Sequence, residues 1–161
     1  MEAAIYICPA TAADASIIQR IVERSIRIGC VLDHRNDARL VTPWLAQQSS
    51  DHIHAWLADP RLYLNIALLH DKPVGVGMAA TNGDITFCHV QPEWFRRGAG
   101  RALMTDLEGW LRIRGTAGAH LNSTRSGAAF YRRLGYRESA PSLTQHGMQT
   151  FPMHKPLAAS A

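Results

Sequence analysis

The stretch from Tyr63 to Leu103 constrains this chain most. Two apolar runs of strand length, Tyr63 to Leu69 and Val74 to Ala80, flank the turn sequence His70-Asp71-Lys72-Pro73. A third run, Ile85 to Val90, follows Asn82-Gly83. Asn-Gly is a strong hairpin signal, because a two-residue turn that matches strand twist needs positive φ at both central positions. The spacing predicts three consecutive antiparallel strands. The third ends in a turn carrying Pro92, Gly98 and Gly100, after which Leu103, Leu107, Trp110 and Leu111 recur at helical spacing until Gly115. A sheet with a helix packed on it follows from this order.

The flanking sequence extends the plan. Ile5-Tyr6-Ile7 reads as a short strand ended by Pro9, and Thr11-Ala12-Ala13-Asp14 as a capped helix start. Ile17, Ile18, Ile21, Val22 and Ile26 form one apolar face at helical spacing. Residues 29–60 are less patterned. There the polar run Asp33-His34-Arg35-Asn36-Asp37 precedes Leu40, Trp44 and Leu45. Ser49-Ser50 then caps a short helix carrying Ile53, Trp56 and Leu57, which Asp59-Pro60 stops. Ala119 to Leu121 is a short strand, and Ala128 to Leu134 a helix closed by Gly135. Tyr136-Arg137-Glu138 and Met148 to Lys155 read as two final strands. The expected fold class is α+β, a mixed, mostly antiparallel central sheet flanked by helices, in one domain over residues 1–161.

Composition narrows the function classes. Apolar residues make up 47% and charged residues 19%, which excludes a disordered chain. No apolar run approaches the ~18 residues of a membrane span. Met1-Glu2-Ala3-Ala4 lacks the basic start and apolar stretch of a secretory leader. Cys8, Cys30 and Cys88 are odd in number and scattered. They argue against a disulfide framework and against a zinc site, and for a reducing, cytoplasmic setting. Charge is uneven: residues 1–88 hold 7 Lys and Arg against 9 Asp and Glu, residues 89–161 hold 10 against 4. The basic half expects a phosphorylated cofactor, a nucleic acid, or solvent alone.

The segment from His89 to Leu103 carries the chemistry. A strand ends, a turn follows with two glycines, and a helix begins directly. The first turn of a helix has free N–H groups and partial positive charge, so it binds anions. Glycine lets a phosphate approach the backbone, and Arg96, Arg97 and Arg101 add charge. An ordinary strand-to-helix turn is the other reading, and neither a Walker A loop nor a GxGxxG fingerprint is present.

Phe95-Arg96-Arg97-Gly98-Ala99-Gly100 resembles the acetyl-CoA segment of the GCN5-related N-acetyltransferases (GNAT), a [Q/R]xxGx[G/A] pattern at a helix start. Thr124 to Tyr136, with Phe130-Tyr131-Arg132-Arg133-Leu134-Gly135-Tyr136, is similar to the family's second motif. Phe151 to Leu157 resembles its last strand, so the likeness covers nearly the whole chain. Two positions depart from the pattern. Phe95 replaces the motif's first Gln or Arg, and Thr124 stands where an Asn is frequent, seven residues before Tyr131.

The resemblance implies an N-acetyltransferase in which a primary amine attacks acetyl-CoA directly, with acetyl-CoA as cosubstrate and no metal. It implies that the amides of Arg96, Arg97, Gly98, Ala99, Gly100 and Arg101 hold the pyrophosphate. The β-strand residues Cys88, His89 and Val90 would meet the pantetheine, with Thr124 reaching it or an ordered water. Tyr131 fits the general acid, since a phenol of pKa ~10 keeps its proton at neutral pH; its other reading is a packed core aromatic. Asp84, fourteen residues before Gly98, stands where histone-type members carry a catalytic Glu, and reads otherwise as a solvated turn carboxylate. His89, with an unperturbed pKa of ~6.5, is a second candidate base or a packed strand-end histidine. Ordered water is the third. Strict alternation would place Asp84, Thr86, Cys88 and Val90 on one strand face and Ile85, Phe87 and His89 on the other. The acceptor, a small molecule or a protein amine, is expected between the loops near residues 29–45 and 139–148, where Asp33 and Asp37 would attract a cation or be solvated. A homodimer is the family-level expectation; neither nucleic acid nor membrane is an expected partner. A non-catalytic acyl-CoA-binding module on the same fold is the alternative function.

Overall fold

The computed structural model describes residues 4–158; Met1, Glu2 and Ala3, read above for a leader, lie outside it. It is an α+β fold of antiparallel sheets flanked by helices. Strand β1 (Ile5–Pro9) leads into helix α1 (Ala15–Arg24), whose buried Ile18, Ile21 and Val22 are the apolar stripe of the sequence. The helix then widens into a π-helical turn, Ser25–Gly29, which carries Ser25 and Ile26 inward. Short helices α2 (Val31–His34), α3 (Ala38–Ala46) and α4 (Ser50–Ala58) fill the segment whose sequence is least patterned. Helix α3 holds Pro43, which cannot donate back to the Arg39 carbonyl. Proline normally punctuates a helix, which is why this one has no clear sequence signal.

Strands β2 (Leu62–Leu69), β3 (Lys72–Ala80) and β4 (Ile85–Val90) are the three predicted consecutive strands, and β1 joins them on the outer side of β2. Helix α5 (Ala99–Ile113) crosses this sheet. Strand β5 (Gly118–Thr124), helix α6 (Ala128–Arg133) and strands β6 (Arg137–Glu138), β7 (Leu143–Gln145) and β8 (Met148–Pro156) complete the chain. Strand β7 has no apolar pattern, being exposed throughout, and exists by hairpin pairing with β8 across His146-Gly147, both at positive φ.

The strands form two sheets rather than one: β1-β2-β3-β4, and β5-β8-β6 with β7 on β8. Between the sheets runs an isolated parallel bridge, Asp84 to His120, with His120 N–H donating to the Gly83 carbonyl at 3.0 Å. From there β4 and β5 diverge. Helix α5 lies under both sheets: Leu103 packs in one apolar cluster with Leu69 and Val74, while Leu107 and Leu111 pack with Leu121 and Met153 in another. The approach is close, for a Cβ on Gly77 of β3 would come within 2.9 Å of Leu107 Cδ1.

A β-bulge changes which way β4 points its side chains. The register pairs Met78 with Phe87 but Ala79 with Ile85, so Thr86 is the extra residue. Ile85 and Cys88, three apart, therefore share the α5 side and pack in one cluster. Phe87 packs on the other side, with the helices α1 and α4. Asp84 precedes Ile85 and thus falls on the Phe87–His89 face, with Thr86 Oγ donating to its carboxylate at 3.1 Å. Strict alternation, as read from sequence, placed it on the opposite face.

Candidate active site

Where β4 and β5 part, a cleft of about 800 Å³ opens. One wall is the free edge of β4. The Gln91 amide donates to Val74 O of β3 at 2.8 Å. By antiparallel alternation the N–H and C=O groups of Cys88 and Val90 then face away from β3, toward the cleft. Cys88 Sγ also reaches the Gly100 carbonyl at 3.7 Å, tying the strand to the start of α5.

The floor is the N-terminus of α5. Arg96 at φ 62° and Gly98 at φ 89° turn the chain sharply into the helix, and only glycine takes such a φ without strain. The first helical bond runs from Ala102 N–H to Gly98 C=O, leaving the amides of Ala99, Gly100 and Arg101 without helix partners. Arg96, Gly98, Ala99, Gly100 and Arg101 line the cleft. Arg97 does not; its guanidinium stacks on Trp94, 5.5 Å from the ring centroid. Phe95 lies against Gly29 at the end of the π-helical turn, where an added Cβ would be 3.1 Å from its ring, so this departure from the motif is an apolar contact.

The far wall comes from β5 and α6. Thr124 Oγ1 accepts from Gly127 N–H at 3.1 Å, which shapes the turn into α6 and leaves the hydroxyl proton free to donate. Tyr131 is 9% exposed and packed edge-on against Phe130 and Tyr136, and its hydroxyl has no hydrogen-bond partner among the described residues. Burial pushes its pKa well above 10, with smaller contributions from the Cys88 and Cys30 thiols. Those thiols are themselves pushed up to about 12, chiefly by burial.

The remaining side is the Asp84–Phe87–His89 face of β4, covered by α3 and α4. His89 Nδ1 lies 2.9 Å from Ser25 Oγ, and burial lowers its pKa to about 4, so the ring is neutral at neutral pH. Asp84 faces His120, with Oδ1 3.7 Å from Nε2. Trp44 and Trp56 complete this side, Trp56 lying 5.7 Å from Phe87.

Ser25 carries no signal in the sequence, because it depends on the π-helical turn. Asp33 is not a bare loop carboxylate. Its carboxylate accepts from the Arg125 amide at 2.7 Å and from the Ser126 amide and hydroxyl, so it clamps α2 to the turn between β5 and α6. Asp37 caps α3 and pairs with Arg39. Among the described residues, no three His, Cys, Asp or Glu side chains are grouped to hold a metal ion, and no helix is long and apolar enough to cross a membrane.

A family model described as an acetyltransferase (GNAT) domain matches residues 32–157. Comparison with curated proteins finds no match. Among solved structures, a GCN5-related N-acetyltransferase from Rhodopseudomonas palustris is 22% identical, covers 98% of each chain and superposes with a TM-score of 0.85. PaiA N-acetyltransferase from Thermoplasma acidophilum, solved with coenzyme A, is 15% identical over 95% of this chain and 99% of its own, with a TM-score of 0.77. The ribosomal-protein-S18-alanine N-acetyltransferase of Escherichia coli is 21% identical over 98% of this chain and 97% of its own, at 0.70. At these identities the structural likeness speaks for the fold.

Proposed function

The chain belongs to the GNAT acetyltransferase family, and from that premise we propose that it moves the acetyl group of acetyl-CoA to a primary amine by direct attack in a ternary complex. One observation carries the reading: the unpaired backbone edge of β4 runs straight into the partnerless amides of α5, opposite the free hydroxyl of Tyr131. A pantetheine chain needs the first feature and a pyrophosphate the second, so the residues present fit acetyl-CoA.

In this reading Cys88 and Val90 bind the pantetheine amides as a neighbouring strand would, beside the His89 backbone. The amides from Gly98 to Arg101 hold the pyrophosphate, with the side chains of Arg96 and Arg101 beside them and Arg97 held back by Trp94. Thr124 offers its proton to the pantetheine from the opposite wall. Tyr131, kept protonated by burial, gives its proton to the departing thiolate. Asp84 draws the ammonium and takes its proton, directly or through water; neutral His89 is the second acceptor on the same face. The protonated thiols of buried Cys30 and half-buried Cys88 are poor nucleophiles, which favours direct attack over an acetyl-enzyme. A cytoplasmic setting suits three free cysteines.

Tyr131→Phe tests the chemistry. Single-turnover thiol release should fall about 10²–10⁴-fold, the span of a positioned acid. Coenzyme A affinity and melting temperature should stay near wild type, since ring packing is kept. Undiminished release in the Phe variant would remove Tyr131 from the reaction. Coenzyme A binding without thiol release in wild type, over a broad amine panel, would make the domain a non-catalytic acyl-CoA binder.

A further inference from the structure

The cleft has two chemically different sides, and the bulge in β4 separates them. On the α5 side lie Cys88, Val90 and the helix amides, with the Arg side chains that line the cleft among the described residues: Arg96 before α5, Arg101 on it and Arg133 on α6. On the other side lie Asp84, Phe87 and His89 of β4, with Trp44 and Trp56 over them. That side carries one carboxylate that no backbone amide takes up, with the His120 ring 3.7 Å from it. Asp84 supplies it, its side chain 35% exposed into the cleft. His89 is neutral, and Asp33, the other cleft-lining carboxylate, is taken up by the Arg125 and Ser126 amides. Aromatic rings make up much of the rest, Trp56 lying 5.7 Å from Phe87 and Phe87 5.1 Å from His89, with Gln47, Gln48 and Thr86 as neutral polar neighbours.

Each feature selects. One carboxylate attracts one ammonium and has no second partner to offer. Among the described residues no Lys or Arg lines this face, and the His120 ring is turned to Asp84, so a substrate carboxylate would sit beside Asp84 with no cation of its own, an unfavourable placement. Flat aromatic walls favour a flat apolar body, and their faces also tolerate the neighbouring ammonium. We propose that the acceptor is a monoamine with an aromatic body and no acid group, its ammonium held by Asp84 and its ring packed on the surface that Trp56 and Phe87 form together. The proposal rests on the acetyl-transfer reading and narrows it to a substrate class.

The test is a steady-state thiol-release assay with acetyl-CoA and five acceptors: 2-phenylethylamine, phenylalanine, ethylamine, 1,4-diaminobutane and a short peptide with a free N-terminus. The expected kcat/KM for 2-phenylethylamine exceeds that for phenylalanine by at least about 100-fold and that for ethylamine by at least about tenfold, the sizes typical of an unpaired buried charge and of lost apolar contact. Phe87→Leu should shrink the ratio between 2-phenylethylamine and ethylamine. Equal or better turnover of phenylalanine, the diamine or the peptide would overturn the acceptor class and leave acetyl transfer standing. No thiol release with any of the five, while coenzyme A still binds, would overturn both.

Discussion

Burial acts on His89 and Tyr131 in opposite senses. Loss of water disfavours the imidazolium of His89 and the phenolate of Tyr131, so one pKa falls and the other rises, and both rings are uncharged at neutral pH. For His89 this has a stability consequence. The folded-state pKa is about 4, below the ordinary 6.5, so between these values the unfolded chain binds the proton and the folded chain does not. Stability from keeping the ring neutral is fully present above pH 6.5 and is lost as pH falls toward 4. The loss is at most about 3 kcal/mol, less where the cleft admits water. Denaturant unfolding of wild type and His89→Gln should thus diverge in acid sensitivity, the variant losing less stability between pH 6.5 and 4.5. Parallel pH profiles would show that His89 is solvated in the folded state. A packed strand-end histidine was one reading of His89 in the sequence, but its partner was not legible, because Ser25 reaches it through the π-helical turn, a tertiary contact with no local signature.

At the scale of elements, α5 performs two jobs with two ends. Its middle buries Leu103, Leu107 and Leu111 under both sheets, and its first turn offers free amides to the cleft. The two jobs can be separated by one substitution. Arg101→Glu places an acid in the first turn of the helix, where the macrodipole favours it by roughly 0.3–1 kcal/mol. The same carboxylate would repel a pyrophosphate held there. Melting temperature should hold or rise while calorimetry shows coenzyme A affinity falling tenfold or more, about 1.4 kcal/mol per decade. Unchanged affinity would move the phosphate site off this helix. This element was legible because an Asn-Gly turn, a glycine-bearing turn and a helical repeat of leucines are local signals. The bulge at Thr86 was not, since it is set by pairing with β3, and it reversed the face assigned to Asp84. Strand β7 was equally silent, its three residues being exposed and held by pairing alone.

Over the whole molecule, the two sheets touch at Asp84–His120 and splay apart to make the cleft, and few contacts hold the opening. Asp33 spans it from α2 to the turn before α6. Behind it, buried Glu108 of α5 accepts from Tyr136 Oη at 2.9 Å and from Lys155 Nζ at 2.8 Å, fastening the helix to the second sheet. An open cleft with no ionised thiol suits transfer between two bound substrates. The most direct test of that claim follows the acetyl group in time. Enzyme mixed with acetyl-CoA alone, quenched rapidly and weighed intact, should carry no acetyl adduct and release no thiol. Adding a competent amine should release thiol and acetylated amine together, and the Cys30→Ser, Cys88→Ser double variant should keep the single-turnover rate. A thiol burst before amine is added, with an acetyl adduct on Cys30 or Cys88 that forms and decays as fast as turnover, would contradict it.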